Sequence, residues 1–301
     1  MSAVLRFAPS PNGCLHLGHA LSALVGYRWA RRLGGRFLVR IEDIDIVRCK
    51  PAFIAAALED LAWLGIRWEE PVRRQSEHFD DYARMADQLR AAQLLYPCFA
   101  TRAEIERAAM AVPGAVDPEG APLYPGLYRG YPSHLAERRK LANEPCALRL
   151  DMAKALALAT ERLAGAPLTF HEIDDNGRVE TVACRPERWG DVVIVRKDTP
   201  TSYHLSVVVD DALQGITHIV RGRDLYDATD LHRLLQVLLQ VPGWRTGPLY
   251  HHHRLITDEL GRKLAKSAGD TSLKSLRLQG WSAAEVCQLV GVHAGPQVAP
   301  E

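Results

Sequence analysis

The stretch VLRFAPSPNGCLHLGH, residues 4–19, decides the fold. Val4 to Phe7 suits a short strand, and the loop after it carries Pro9, Pro11, Asn12 and Gly13. A helix follows from Leu17 to Leu33, with Leu17, Leu21, Leu24 and Val25 at helical spacing and a stop at Gly34-Gly35. Phe37 to Ile41 predicts a second strand. Pro51 sits where a helix's first turn tolerates a missing N–H, and Phe53 to Leu64 continues that helix. Strands separated by helices imply parallel pairing. The fold expected is therefore α/β, a Rossmann-like doubly wound parallel sheet.

Farther along, the rhythm breaks. Between about Cys98 and Arg185 lie a Pro/Gly/Tyr-rich stretch (Val112 to Pro132), the basic cluster Arg138-Arg139-Lys140 and the strand-like Cys146 to Leu150. That shift in composition predicts an α+β subdomain inserted into the sheet. The α/β pattern returns with a strand at Val192 to Val195, a helix or strand at Tyr203 to Val209, a strand at Ile216 to Val220 and a helix at Asp230 to Leu239. Helices at Ser272 to Leu278 and Ala283 to Val290 form a short C-terminal extension. The expected division is 1–97 and 188–250 as two halves of a catalytic domain, 98–187 as the insertion, and 251–301 as a loop with terminal helices.

Composition bounds the function. The chain has 301 residues, 37 Lys+Arg against 36 Asp+Glu, and a net charge of +1, so no bulk electrostatic argument for nucleic acid follows and any RNA contact must rest on local patches. No apolar run approaches the roughly 18 residues a membrane span needs. Arg6 and two prolines occupy the place of a signal peptide's apolar stretch, and six cysteines without a CxxC pair read as reduced thiols. A cytoplasmic protein with no membrane partner is expected.

Two motifs carry chemistry. His16-Leu17-Gly18-His19 opens a helix, whose unpaired N–H groups and dipole suit a phosphate. The two imidazoles share one face of the first turn, and Gly18 lets a flat nucleotide approach the backbone. Taken alone, HxGH is more often explained by surface-capping or metal-binding histidines, and nucleotidyltransferases of other classes also carry it. Lys263-Leu264-Ala265-Lys266-Ser267, after a polar Gly-containing loop, suits neutralisation of a polyphosphate. A solvated basic loop explains this half alone, but both together point to nucleotide chemistry.

The pair resembles the HIGH and KMSKS signatures of class I aminoacyl-tRNA synthetases. The resemblance implies attack of an amino-acid carboxylate on the α-phosphate of ATP. His16, His19, Lys263 and Lys266 would be the catalytic groups, with His16, Gly18, His19, Lys266 and Ser267 on ATP and Mg²⁺ arriving with the nucleotide. Residues 6–13, RFAPSPNG, resemble the RFAPSPTG start of glutamyl-tRNA synthetases, and residues 40–45, RIEDID, their RIEDTD segment. Tyr203 with residues 207–211 and 215–222 resembles a further block of that family. This implies a glutamate pocket of Arg6, Ala8, Ser10, Glu42, Tyr203 and Arg221. Arg6 and Arg221 would each hold a carboxylate bidentately and Glu42 the ammonium. Residue chemistry leaves aspartate and glutamate open, one methylene apart, and the family resemblance selects glutamate.

About 34 residues follow Ser267, too few for an anticodon-binding domain, so none is expected. That architecture resembles the family of glutamyl-queuosine tRNA(Asp) synthetases. The resemblance implies activation of L-glutamate without tRNA and transfer to queuosine in the anticodon loop of tRNA(Asp). Its zinc pattern, CxC and a later YxxxC, is damaged here: Cys98 and Tyr124 remain, whereas Ala100 and Tyr128 replace two cysteines. No metal is expected, even with His134 nearby, and Tyr124, Tyr128 and Tyr131 would hold the insertion by packing. Arg138, Arg139 and Lys140 are candidates for RNA phosphate contacts, and a monomer is expected. The alternatives are a short synthetase charging a tRNA 3′ end, a cytidylyltransferase or pantothenate-type ligase, and an inactive RNA-binding paralogue.

Overall fold

In the computed structural model, which describes residues 2–110, 114–256 and 272–292, the chain leaves strand β1 (Val4–Phe7) for helix α1 (Leu17–Arg32). It returns as β2 (Arg36–Ile41), parallel to β1. α1 forms because Ala20, Leu21, Ala23, Leu24 and Trp29 bury one side while Arg31 and Arg32 meet the negative end of the helix dipole. It ends at Gly34, whose φ of +58° a side chain resists, and Gly35, where a Cβ would lie 2.5 Å from the Ala3 carbonyl oxygen. Helix α2 (Pro51–Trp63) starts on Pro51 and leads to β3 (Glu69–Arg74), parallel to β2.

After α3 (Phe79–Ala91) comes the insertion: β4 (Leu95–Cys98), α4 (Arg102–Ala109), α5 (Ser133–Leu141), β5 (Ala147–Leu150) and α6 (Met152–Arg162). Then follow β6 (Thr169–Ile173), β7 (Val179–Ala183), β8 (Val193–Val195), α7 (Tyr203–Leu213), β9 (His218–Gly222), α8 (Ala228–Leu239) and β10 (Leu249–His253). The short helices α9 (Leu273–Leu278) and α10 (Ala283–Leu289) close the described chain.

The parallel sheet is doubly wound. β3, β2 and β1 lie side by side, and β9, β10, β6 and β7 form the other half. Thr217, just ahead of β9, joins them: its N–H donates to the Val4 carbonyl at 3.0 Å and its hydroxyl accepts from the Val4 N–H at 2.8 Å. The chain departs from β1 in one direction and arrives at β9 in the other. A crevice at such a switch point, beyond the carboxyl ends of the strands, is where these sheets bind ligands.

One core lies between this sheet and the helices α1, α2, α9 and α10, built on Leu5, Phe7, Leu21, Val39, Leu61, Leu273 and Val286. A second joins α3, α6, α7 and α8 through Tyr82, Leu89, Leu205, Leu231, Leu234 and Leu238. Each fully buried leucine contributes about 2 kcal/mol, so removing one from either core would loosen the strand ends it supports.

Three expectations change in detail. Tyr203 to Val209, left open between helix and strand, is helical, because the Ser202 hydroxyl caps the Leu205 N–H and the run is buried on every side. The strand expected at Ile216 begins at His218, since Gly215, with φ +64°, and the Ile216 N–H on the Asp211 carbonyl still finish α7. Sheet membership also does not divide at residues 98 and 187. β6 pairs in parallel with β10, whose edge is open to it, so the β6–β7 hairpin extends the main sheet. β8 instead pairs with β5 in an antiparallel sheet with β4, where Ile194 fills the second core.

Candidate active site

The loop after β1 delivers His16 to the N-cap of α1. The His16 Nδ1 accepts the Gly18 N–H at 3.1 Å, and the His19 Nδ1 accepts the His16 N–H at 3.2 Å. Two histidines thus form the reciprocal capping box that usually takes Ser and Glu. Because both Nδ1 atoms accept, each neutral ring carries its proton on Nε2 and is a donor there. The ring centroids are 3.9 Å apart. Gly18 has a steric reason beyond nucleotide access: a Cβ would lie 2.9 Å from the His16 Cε1 and push the capping ring aside.

β1 and β2 carry Arg6 and Arg40, and Glu42 directly follows β2; all three are buried. Arg6 holds Asp211 of α7 bidentately, Nε to Oδ1 at 2.9 Å and Nη2 to Oδ2 at 3.2 Å. Arg40, without solvent contact, reaches Asp211 at 2.7 Å and Glu42 at 3.0 Å. Burial would raise the Asp211 carboxyl, yet Arg6 and Arg40 hold it below its ordinary range. Glu42 is raised, because burial outweighs the pull of Arg40 and Arg6. Asp211 takes the Nε–Nη2 edge of Arg6, so a substrate carboxylate would meet the edge formed by Nη1 and the remaining Nη2 proton.

Arg221, on β9, differs. It is 5% exposed, and its partners are neutral: Nε donates to His252 Nε2 at 3.1 Å, Nη1 to His232 Nδ1 at 3.0 Å and Nη2 to the Thr229 hydroxyl at 2.7 Å. Among the described residues no carboxylate pairs with it. Three of the five guanidinium protons are engaged, which leaves two donors and a whole charge. Tyr203 stands close by; burial pushes its phenol up to about 12, so it stays a protonated donor.

One cleft of about 370 Å³ gathers Arg6, Ala8, Ser10, His16, Gly18, His19, Glu42, Tyr203 and Arg221, which come from residues up to 215 positions apart. The remaining expected residues, Lys263, Lys266 and Ser267, lie outside the described residues. Asn12, Ser22, Asp224, His253, Arg254, Leu255 and Ile256 also line the cleft and were not expected. Asp211, Arg40, His232, His252 and Thr229 stand behind it. Paired acids ending the apolar run VVVDD and the histidine run 251–253 on a strand were the available signals.

The insertion does not fit a zinc ion. Cys98 Sγ lies 3.4 Å from the Tyr124 hydroxyl, which also accepts the Tyr128 N–H at 2.9 Å. Ala100 is buried beside them, and the Arg149 guanidinium covers the Tyr124 ring at 3.8 Å. One thiol and two phenols do not make a four-coordinate site of thiolates and imidazoles. Arg139, a candidate for RNA phosphate, instead pairs with Glu144, donates to the Tyr128 hydroxyl at 2.8 Å and stacks on Phe99 at 4.2 Å. Arg138 is exposed, and Lys140 pairs with Glu137 at 2.8 Å.

A doubly wound parallel sheet, with HxGH capping the helix at its switch point and a polar cleft above, defines the class I aminoacyl-tRNA synthetase catalytic fold. The family model for class I tRNA synthetases (E and Q), catalytic domain, matches residues 2–293, and the chain belongs to that family of ligases. It is 43% identical over 296 residues to a "Glutamyl-Q tRNA(Asp) synthetase" of Rhodobacter capsulatus, covering 96% of this chain and 100% of that one. A protein of the same description from Symbiobacterium thermophilum is 37% identical, over 92% of this chain and 82% of its own length. The crystal structure of the glutamate-tRNA synthetase of Elizabethkingia anophelis superposes with a TM-score of 0.74 at 25% identity, over 96% of this chain and 61% of that one. Among the described residues no helix is long and apolar enough to cross a membrane.

Proposed function

We propose that this protein joins L-glutamate to ATP as glutamyl-adenylate without tRNA, then transfers the glutamyl group to queuosine in the anticodon loop of tRNA(Asp). The observation that carries the reading is Arg221, a buried cation whose partners among the described residues are neutral, in the same cleft as the paired Nε2–H donors of His16 and His19. A substrate carboxylate would supply the missing countercharge. Glu42, beside Arg40, would take the α-ammonium, and Tyr203, Ser10 and the Nη1 side of Arg6 would complete the pocket lined by Ala8.

In the first step an α-carboxylate oxygen bonds to the α-phosphorus as the bond from that phosphorus to the bridging oxygen breaks and pyrophosphate leaves. The protein's part is alignment and stabilisation of charge on the phosphates. His16 and His19 would donate to the α-phosphate at the positive end of α1, and Gly18 leaves their rings in place. Lys263, Lys266 and Ser267 would meet the leaving pyrophosphate, whose Mg²⁺ arrives with ATP. A queuosine hydroxyl would then attack the activated carbonyl and release AMP. The names of the Rhodobacter and Symbiobacterium relatives support this acceptor. ATP and tRNA as substrates favour the cytoplasm, and a cleft built within one chain favours a monomer.

The test is glutamate-dependent ATP–pyrophosphate exchange without tRNA, followed by charging of queuosine-containing tRNA(Asp) trimmed at its 3′ end. Both are expected to proceed, and an unmodified transcript is expected to stay uncharged. Equal exchange with glutamine would overturn the pocket. Loss of charging on trimming, or efficient glutamylation of tRNA(Glu), would overturn the acceptor.

A further inference from the structure

Behind Arg221 runs a continuous hydrogen-bonded row of side chains from four elements. Glu172 of β6 receives the His252 N–H at 2.9 Å and lies 2.8 Å from His252 Nδ1. His252 of β10 accepts from Arg221 on its other nitrogen. On the far side Arg221 donates to His232 of α8, whose Nε2 lies 3.2 Å from His204 Nδ1 of α7. A guanidinium can only donate, so each donation fixes a tautomer. His252 carries its proton on Nδ1, facing Glu172, and His232 carries its proton on Nε2, facing His204. His204 accepts there and holds its own proton on Nε2. Thr229 adds a hydroxyl at 2.7 Å from Arg221.

The arrangement is chemically unusual. A buried arginine is ordinarily paired with a carboxylate, as Arg6 and Arg40 are with Asp211 a few residues away. At Arg221 two imidazoles occupy the positions where such a carboxylate would sit, and the carboxylate in the row, Glu172, stands one imidazole removed. Imidazole acceptors hold the guanidinium plane in place without neutralising it. A protonated imidazole could not accept, and burial beside Arg221 pushes His232 well below its ordinary range and His204 and His252 to about 4. The rings around them are Tyr203 and Trp189 near His204 and His232, and Tyr226, Tyr250 and Phe170 near His252.

We infer that His232 and His252 are positioning residues that fix the Arg221 guanidinium through neutral acceptors and so reserve its charge for the substrate carboxylate. The inference rests on the glutamate reading above and deepens it, because the anionic specificity of the pocket then originates one layer behind the cleft.

The experiment compares His232→Asp, His232→Leu and His232→Asn with the parent protein in ATP–pyrophosphate exchange, with KM for glutamate and ATP measured separately and glutamine as a competing substrate. His232→Asp places a carboxylate on Arg221. It is expected to raise KM for glutamate about 10- to 100-fold with KM for ATP within about twofold, and to shrink the preference for glutamate over glutamine. His232→Leu removes the acceptor and is expected to raise KM for glutamate about 10-fold. In His232→Asn the amide oxygen replaces Nδ1, and KM for glutamate should stay within about threefold. Thermal denaturation reports whether each variant folds. If the aspartate variant does not fold, the leucine and asparagine variants decide the question. An aspartate variant with parental glutamate KM, KM values for both substrates raised equally, or leucine and asparagine variants with the same glutamate KM would overturn the inference. A parent protein without glutamate-dependent exchange would instead overturn the glutamate reading itself.

Discussion

Gly18→Ala separates catalysis from stability at one atom. Gly18 is the second residue of α1, where alanine is the better helix former by about 1 kcal/mol. The added Cβ would lie 2.9 Å from Cε1 and 3.1 Å from Nδ1 of His16, too close for the ring to stay where it accepts the Gly18 N–H. Losing that cap costs about 1 kcal/mol, and the contact itself costs a similar amount. The sum is a loss of about 1 kcal/mol, a fall in melting temperature of roughly 1.5 °C for a chain of 301 residues. Activity should respond more strongly, because the displaced ring takes its Nε2–H donor from the developing phosphate charge. Removing one such donor outright costs about 100- to 1000-fold in turnover, so a displaced one should cost about 10- to 100-fold. The assay is ATP–pyrophosphate exchange at saturating substrates, run beside thermal denaturation and repeated in a His16→Ala background. With His16 absent, Gly18→Ala should have little further effect on exchange. Exchange within twofold of the parent, or full effects of both changes in the double variant, would refute the reasoning.

Acidification should destabilise the protein between about pH 6.5 and 4. His204 and His252 are held neutral by burial and by Arg221, at about 4 against an ordinary 6.5, and His232 is lowered in the same direction. The unfolded chain takes up protons from pH 6.5 downward while the folded chain does not, so stability present above 6.5 is lost as pH falls, by about 1.4 kcal/mol per pH unit for each such group. A melting temperature that stays flat from pH 7 to 5 would contradict that cradle. For the insertion, elemental analysis should find far less than one zinc per chain and a chelator should leave the melting temperature unchanged, because Cys98, Tyr124 and Tyr128 bond to one another or to Arg139. A stoichiometric zinc would refute this.

Much of the molecule was legible in the sequence because the signals are local. Val4 to Phe7, Leu17 to Leu33 and Pro51 to Leu64 announce their elements through period, a proline at a first turn and paired glycines, all properties of adjacent residues. HLGH is contiguous, so a strand, a loop and a helix start suffice to place both imidazoles. Eight of the nine described residues named from motifs meet in one cleft because their motifs lie at or follow the carboxyl ends of parallel strands, which pairing brings together; Tyr203 joins them from the start of α7.

What a sequence does not specify is which partner takes each hydrogen bond. Arg6 reads as open to substrate on every edge until Asp211, 205 residues away, is seen to take its Nε–Nη2 edge. Arg139 reads as a candidate for RNA phosphate until Glu144, Tyr128 and Phe99 are seen to engage it. Residue type does set the charge and the number of donors. Pairing depends on distances between α7, α8, β6, β9 and β10, which only packing fixes. Tertiary structure therefore decided that Arg221, alike in type to Arg6 and Arg40, has no carboxylate partner among the described residues. His252 of β10 and His232 and Thr229 of α8 converge behind it, with His204 of α7 behind His232, where a carboxylate would have cancelled its charge.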